Sequence, residues 1–300
     1  MLFHEYFADW IDVYKRGAVR PITFQKYQMT LQRLIELAPS LTVGELDRRS
    51  YQSIINQYGK THEKQTTRDF HNHLKAVVLD AVDEGLLKYD PTRKVVIKGK
   101  TPVKDRIKYL SRAELTKVLE MLVLSTEVNW DWLILLSAKT GLRFAEILGL
   151  TRNDFEFAQN NLTISKTWDY KNGGGFATTK NESSKRTIVL DSQLSNQFDT
   201  LTNGLPPDKP IFVNGRVFNS TVNSRLCTLC KKADVPVISL HSLRHTHASL
   251  LIFAGVSIAS IAKRLGHSSV TKTQETYLHI IQELESQDND KIIRHLSSLM

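Results

Sequence analysis

Trp130-Asp131-Trp132-Leu133-Ile134-Leu135-Leu136-Ser137-Ala138-Lys139-Thr140-Gly141-Leu142-Arg143-Phe144-Ala145-Glu146 decides how the chain is read. From Trp130 to Lys139 the run is almost continuously apolar, yet far short of the roughly 20 residues that cross a bilayer, so it belongs inside a helical core. Gly141 ends it. Arg143 and Glu146 follow three positions apart, on one face of a new helix, where they form either a surface ion pair or a charged pair with other work.

Upstream, Ser111 with Glu114 three positions on predicts a capped helix running through Leu124. The first hundred residues read as a helical bundle, with apolar residues at three-four spacing over 2–14, 23–37 after Pro21, 49–58 and 64–83. Thr23 can cap the second of these, Gly85 can end the fourth, and Asp90-Pro91 stops any continuation. Strand signals are absent there. A basic stretch from Lys94 to Lys108, with Pro102 at its centre, reads as an interdomain linker, either a solvated tether or one that touches phosphates.

Downstream, Leu162-Thr163-Ile164-Ser165 and Thr187-Ile188-Val189-Leu190 alternate as strands, with Gly173-Gly174-Gly175 and Asn181-Glu182-Ser183-Ser184 as turns. Helices resume after Pro206-Pro207, over 219–232, 242–254 and 258–265, with Ser242 as a cap. The fold class expected is mainly α with a small antiparallel β-sheet.

A chain of 300 residues suits two domains with cores of their own. Its 41% hydrophobic and 24% charged residues are those of a globular protein. No apolar window approaches a spanning helix, and Met1-Leu2-Phe3-His4-Glu5 is no basic region ahead of an apolar stretch, so a cytoplasmic protein with no membrane partner is expected. Cys227 and Cys230 have a zinc-compatible spacing but no second ligand pair, and read as small core residues. The net charge of +9 and pI near 9.4 favour polyanions, nucleic acid first.

Two more segments carry side chains that a core does not need. In His241-Ser242-Leu243-Arg244-His245-Thr246-His247-Ala248, His241 and Arg244 share a side of a helix. The three histidines invite a metal reading, but no carboxylate or His-Glu-x-x-His pattern joins them. In Leu265-Gly266-His267, a tyrosine follows ten positions later, Tyr277.

Together these segments resemble the tyrosine recombinases, or phage-type integrases, especially those of phages and integrative conjugative elements. The resemblance runs from Leu110 to about Ile280. Members carry Thr-Gly-Leu-Arg-x-x-Glu, His-x-Leu-Arg-His and Leu-Gly-His segments, then a tyrosine nine or ten residues on. Here the matching residues are Arg143, His241 with Arg244, His267 and Tyr277. Any one pattern is weak; four in order in a basic chain are specific. The family also has a hairpin lysine, for which Lys180 is the candidate, six positions before Arg186, and Lys185 the competitor.

The chemistry asks for this set. Guanidiniums answer the negative charge of a phosphodiester, so Arg143 and Arg244 would bind the non-bridging oxygens with His267 as a third donor. The Tyr277 phenol, protonated at neutral pH, needs a proton acceptor, a role the resemblance gives to His241. Lys180 would protonate the leaving 5′ oxygen. Glu146 would hold Arg143. A phosphotyrosine bond stores the energy of the broken one, so neither ATP, metal nor other cofactor is expected.

The resemblance implies a core-binding domain over 1–100, a linker over 101–106 and a catalytic domain with a tail over 107–300, forming a C-shaped clamp on double-stranded DNA. It implies a recombinase that integrates or excises a mobile element, viral or conjugative, as a homo-tetramer on recombination sites. Accessory DNA-bending or excision factors would assist it, near the nucleoid of a bacterial or phage-infected cell. The tail after Tyr277 reads as a segment packed onto a neighbouring protomer, or as a frayed helix. Integrases of this kind often begin with a small arm-binding domain, which this chain lacks, so it reads as a fragment or a shorter type. Two alternatives are a type IB topoisomerase, which would relax plasmids without a paired site, and a non-catalytic DNA-binding regulator, which would form no covalent adduct.

Overall fold

Phe3, Phe7 and Ile11 recur at four-residue spacing along α1 (Phe3–Tyr14), and all three are buried, so one stripe of that helix makes the floor of the first core. The computed structural model describes residues 1–101, 109–179 and 181–278. It divides into two compact units, Met1–Asp105 and Arg106–Met300.

In the first unit α1 is joined by α2 (Pro21–Leu37), α3 (Arg48–Gly59) and α4 (Lys64–Asp83). Leu34, Tyr51, Ile55, Phe70, Leu74 and Val78 close the core. Two hydrogen bonds fasten α1 to the end of α4: Trp10 Nε1 to Asp80, and Tyr6 Oη to Glu84 at 2.8 Å. α2 begins earlier than the spacing predicts. Arg20 is its N-cap and Pro21 its first residue, a position where the missing N–H costs nothing, so Thr23 is inside the helix and caps nothing.

The basic stretch does not leave this unit at Lys94. Val95 and Ile97 pack on the core, and Gln52 clasps Val96 on both sides, donating to its carbonyl and accepting from its N–H at 2.9 Å each. The Lys100 N–H reaches the His62 carbonyl at 2.8 Å. Gly99 permits the approach: a Cβ there would stand 2.3 Å from the Lys64 nitrogen. The remainder of the linker, 102–108, lies outside the described residues.

The second unit opens with α5 (Arg112–Glu120), capped by Ser111 and Glu114 as a capping box. It stops short of Leu124 because the next residues are used elsewhere: the Val123 N–H donates to Asp131 at 2.8 Å and Asn129 Nδ2 donates to the Val123 carbonyl at 3.1 Å, tying the chain to the start of α6 (Trp130–Thr140). Leu133, Ile134 and Leu136 are wholly buried, and truncating any one to alanine should cost about 2–5 kcal/mol. α6 packs along α10 (Leu240–Phe253), and the short α7 (Phe144–Leu148) follows it.

Two antiparallel sheets appear where one was expected. β1 (Phe155–Glu156), β2 (Asn161–Ile164) and β5 (Arg186–Val189) form one, with Leu162 opposite Ile188. β3 (Lys166–Trp168) and β4 (Phe176–Thr178) form a separate hairpin, turned by Gly173, Gly174 and Gly175, all at positive φ. An unforeseen helix, α8 (Ser192–Thr202), is capped by Asp191 and buries Leu194, Phe198 and Leu201. α9 (Asn219–Lys232), α11 (Ile258–Leu265) and a helical stretch over 270–278 complete the unit. Cys230 is buried in its core and Cys227 half-buried. No helix among the described residues is long and apolar enough to cross a membrane.

Candidate active site

Gly141 takes a left-handed conformation, φ 66°, to end α6. A Cβ there would come within 2.9 Å of both His247 and Leu265, so the end of α6 sits directly against α10 and α11. The turn delivers Arg143 as the N-cap of α7, where its N–H donates to Glu146 Oε2 at 3.0 Å and its Nη1 to Oε1 at 2.6 Å. Glu146 also receives Arg186 Nη2 at 3.0 Å. With the Glu146 and Arg186 side chains only 3% and 4% exposed, this is a buried carboxylate shared by two guanidiniums. Burial works to raise the Glu146 pKa, but Arg186 and then Arg143 outweigh it and hold the carboxyl below its ordinary range.

The C-terminus of α11 is the hub. Gly266, again left-handed, ends the helix and leaves the last carbonyls without helical partners at the negative end of the dipole. Three arginines from three segments take them in succession. Arg186 Nε donates to the Arg264 carbonyl at 2.6 Å, Arg244 Nη2 to that of Leu265 at 2.5 Å, and Arg143 Nη2 to that of Gly266 at 3.2 Å. Arg244, 3% exposed, also donates Nη1 to the Gly141 carbonyl at 2.8 Å and so ties the ends of α6 and α11 together.

This cluster holds more positive charge than Glu146 answers. Burial first, then Arg143, pulls the Arg244 guanidinium down to about 9, against a partial offset from Glu146. An anion placed there would relieve the excess.

His267 follows the hub, with Nδ1 2.7 Å from the Thr273 hydroxyl. Burial, Arg244 and Arg143 push its imidazole down to about 4, so it is neutral at pH 7. The tautomer in which Thr273 donates to Nδ1 is the one that puts the ring proton on Nε2, where it could meet a ligand oxygen. His241 is exposed in the first turn of α10, which is capped by Ser239; Ser242, the expected cap, is inside the helix. The surrounding protein and then Arg244 and Arg143 lower the His241 pKa.

Tyr277 is 2% exposed, packed among Ala248, Ile252, Ile261 and Leu265. Its hydroxyl lies 3.1 Å from His245 Nδ1, not against His241. Burial drives the phenol up to about 12, with Arg244 drawing it partly back. Thus Arg143, Arg244 and His267 come together through the end of α11, His241 stands one turn from His245, and Tyr277 docks on His245. Lys180 lies outside the described residues; Lys185 pairs with Glu182 at 2.5 Å on the surface.

Sequence reasoning missed four members. Arg186 served only to mark distance, and nothing in its neighbourhood announces a buried charge. His247, pushed down to about 4 by burial and Arg264, braces the hub: its ring lies 3.1 Å from the Ala138 carbonyl through Nδ1 and accepts from Arg264 Nε at 3.0 Å. His245 looked like one of a trio of histidines. Thr273 had a readable signal, four positions before Tyr277 and hence on the same helical face. No group of three or more His, Cys, Asp or Glu among the described residues could hold a metal.

A fold of two units, with a cluster of arginines beside a buried tyrosine, suits enzymes that work on phosphate esters. Residues 108–283 match the phage integrase family, and the chain belongs to it. It is 28% identical to a XerC-like tyrosine recombinase of Caldanaerobacter subterraneus, over 91% of this chain and 78% of that protein. It is 22% identical to the integrase of Staphylococcus phage L54a, over 97% and 92%. Among solved structures it resembles the Tn1549 transposon integrase in complex with transposon right end DNA, with a TM-score of 0.76 and 20% identity over 92% of this chain and 95% of that one, a likeness of fold.

Proposed function

We propose that the chain is a site-specific recombinase that breaks and rejoins double-stranded DNA through a 3′-phosphotyrosyl bond to Tyr277, serving the integration or excision of a mobile element. One observation carries the reading: Arg143 and Arg244, a hundred residues apart in sequence, converge on adjacent carbonyls at the end of α11, next to His267 and near a buried tyrosine. That arrangement suits a phosphodiester, whose charge the excess guanidinium would balance.

In the reaction Arg143, Arg244 and the Nε2–H of His267 donate to the non-bridging oxygens. The Tyr277 oxygen attacks phosphorus, the bond to the 5′ oxygen breaks, the phenol loses its proton, and the 5′ oxygen gains one from Lys180. The resemblance assigns the phenol proton to His241. Attack by a hydroxyl from another strand completes recombination.

The helical unit over 1–100 is proposed as a second DNA-binding unit, joined by a linker over 101–106 to the catalytic unit over 107–300. Four copies would act on paired sites, with accessory bending or excision factors, in the cytoplasm at the nucleoid. The relatives' names as integrases and recombinases and the net charge of +9 support this.

The test is incubation with a nicked duplex bearing the element's site. A protein-linked strand should form, Tyr277→Phe should abolish it while DNA binding persists, and affinity should fall steeply with salt. An adduct that survives Tyr277→Phe would overturn the assignment. Relaxation of plasmids that carry no paired site would point to a topoisomerase instead.

A further inference from the structure

We infer that Arg186 is a positioning residue for strand cleavage, answering the charge of Glu146 from the protein side so that Arg143 keeps its own for the scissile phosphate; this rests on the reading of the arginine cluster as the phosphate site. Arg186 opens β5 and shares the inward face of that strand with Ile188, two positions on. Every nitrogen of its guanidinium is taken within the protein. Nε donates to the Arg264 carbonyl at 2.6 Å, Nη1 to the Ser184 carbonyl at 2.8 Å and Nη2 to Glu146 Oε2 at 3.0 Å, with Nη1 also 3.4 Å from Oε1. The side chain is 4% exposed, and a Cβ on Gly266 would stand only 2.8 Å from Nη1. Arg186 therefore has no path to DNA, and what it does for the reaction it does through Glu146.

Arg143 is the opposite case. Its side chain is 33% exposed, and it meets the same carboxylate through its own N–H at 3.0 Å and through Nη1 at 2.6 Å. With no other partner, Glu146 would cancel the charge of Arg143 and set a carboxylate beside an incoming phosphate of the same sign. The second guanidinium changes the balance: Arg143, Arg186 and Arg244 together outnumber the single carboxylate of Glu146. The field of Arg186 extends past its direct partners. Burial first, and then neighbouring cations with Arg186 among them, pull down both the Arg244 guanidinium and the His267 imidazole. Arg186 thus makes the cluster cationic toward its open side while occupying none of the positions that a phosphate needs.

The test compares single-turnover adduct formation on the nicked duplex, with either a phosphodiester or a methylphosphonate at the scissile position. The methylphosphonate carries a methyl group in place of one non-bridging oxygen, so it brings no charge for the cluster to answer. Arg186→Met should slow cleavage of the phosphodiester about 10-fold or more, and of the methylphosphonate under about 3-fold. Arg186→Lys, which restores the charge without the fork, should recover about 3-fold or more of the loss. The double variant Arg186→Met with Glu146→Gln removes both buried charges, so it holds even where Arg186→Met folds poorly. It should cleave the phosphodiester within about 5-fold of the parent. Equal losses on the two substrates, as a purely structural part would give, or a double variant slower than that limit, overturn the proposal. If Tyr277→Phe still forms an adduct, the functional reading falls; if it forms none and Arg186→Met slows both substrates alike, only this inference falls.

Discussion

Arg244 and Tyr277 are equally buried, at 3% and 2% exposed, but they are held in different ways. Arg244 donates from both terminal nitrogens to carbonyls of two other segments, within a network that also fixes Arg143, Arg186 and Glu146. Tyr277 has one hydroxyl contact and a small apolar cluster. On the proposed function, the half that would bind the anion is built before a ligand arrives, whereas the proposed nucleophile is held by apolar packing and a single hydrogen bond. Rigid donors suit transition-state charge, which rewards preorganisation; a nucleophile that must reach phosphorus cannot be locked as firmly.

Glu146→Ala tests the rigid half most severely. It strips the counterion from the buried Arg186 and should cost about 3–5 kcal/mol in urea unfolding. A loss under about 1 kcal/mol would mean that the network is not what holds the hub. Arg244→Lys keeps a charge but not the two-carbonyl clamp, and the adduct should form on the order of 100-fold to 1000-fold more slowly. Near-normal rates would leave a point charge sufficient.

The imidazoles give a third probe. His267 and His247 are each pushed down to about 4 in the folded chain, against about 6.5 unfolded, so the unfolded state binds more protons between those values. Stability is complete above about pH 6.5 and is lost as pH falls toward 4, with His241, His71 and His73 adding the same sign. Each strongly shifted ring contributes up to about 1.4 kcal/mol per pH unit. Unfolding measured at pH 6.5 and 5, where most carboxylates are still ionised, should show the fall; a flat profile contradicts the two neutral imidazoles. Least of all, Tyr277→Phe should shift stability by about 1 kcal/mol or less, since it removes one hydrogen bond from an otherwise apolar site. A large destabilisation would make the stored tyrosine part of the rigid half.

What the sequence disclosed follows the physics of each feature. The apolar run at Trp130 and the Gly141 stop are local, and so is the Ser111 and Glu114 capping box; all were legible. The family spacing brought out Arg143, Arg244, His267 and Tyr277 without any geometry. α8 was hidden because its Ser, Asn, Asp and Thr residues are weak helix formers that mask the Leu194, Phe198 and Leu201 stripe. The docking of Val95 and Ile97 was hidden by Lys94 and Lys98, which flank their short apolar run in a basic stretch. Arg186 and His245 act through partners 40 and 32 positions away, contacts that only a tertiary fold discloses.

The hydroxyl of Thr273 and the phenol of Tyr277 lie four residues apart on the same helical stretch, one gripping His267 and the other His245. Lifting that rod as a rigid body would free the phenol oxygen proposed to attack and, in the same movement, take away the hydroxyl that pairs with His267 Nδ1. Arming the tyrosine and disarming the donor are then opposite ends of one lever, which rewards a path in which the rod unwinds between the two residues instead of swinging whole.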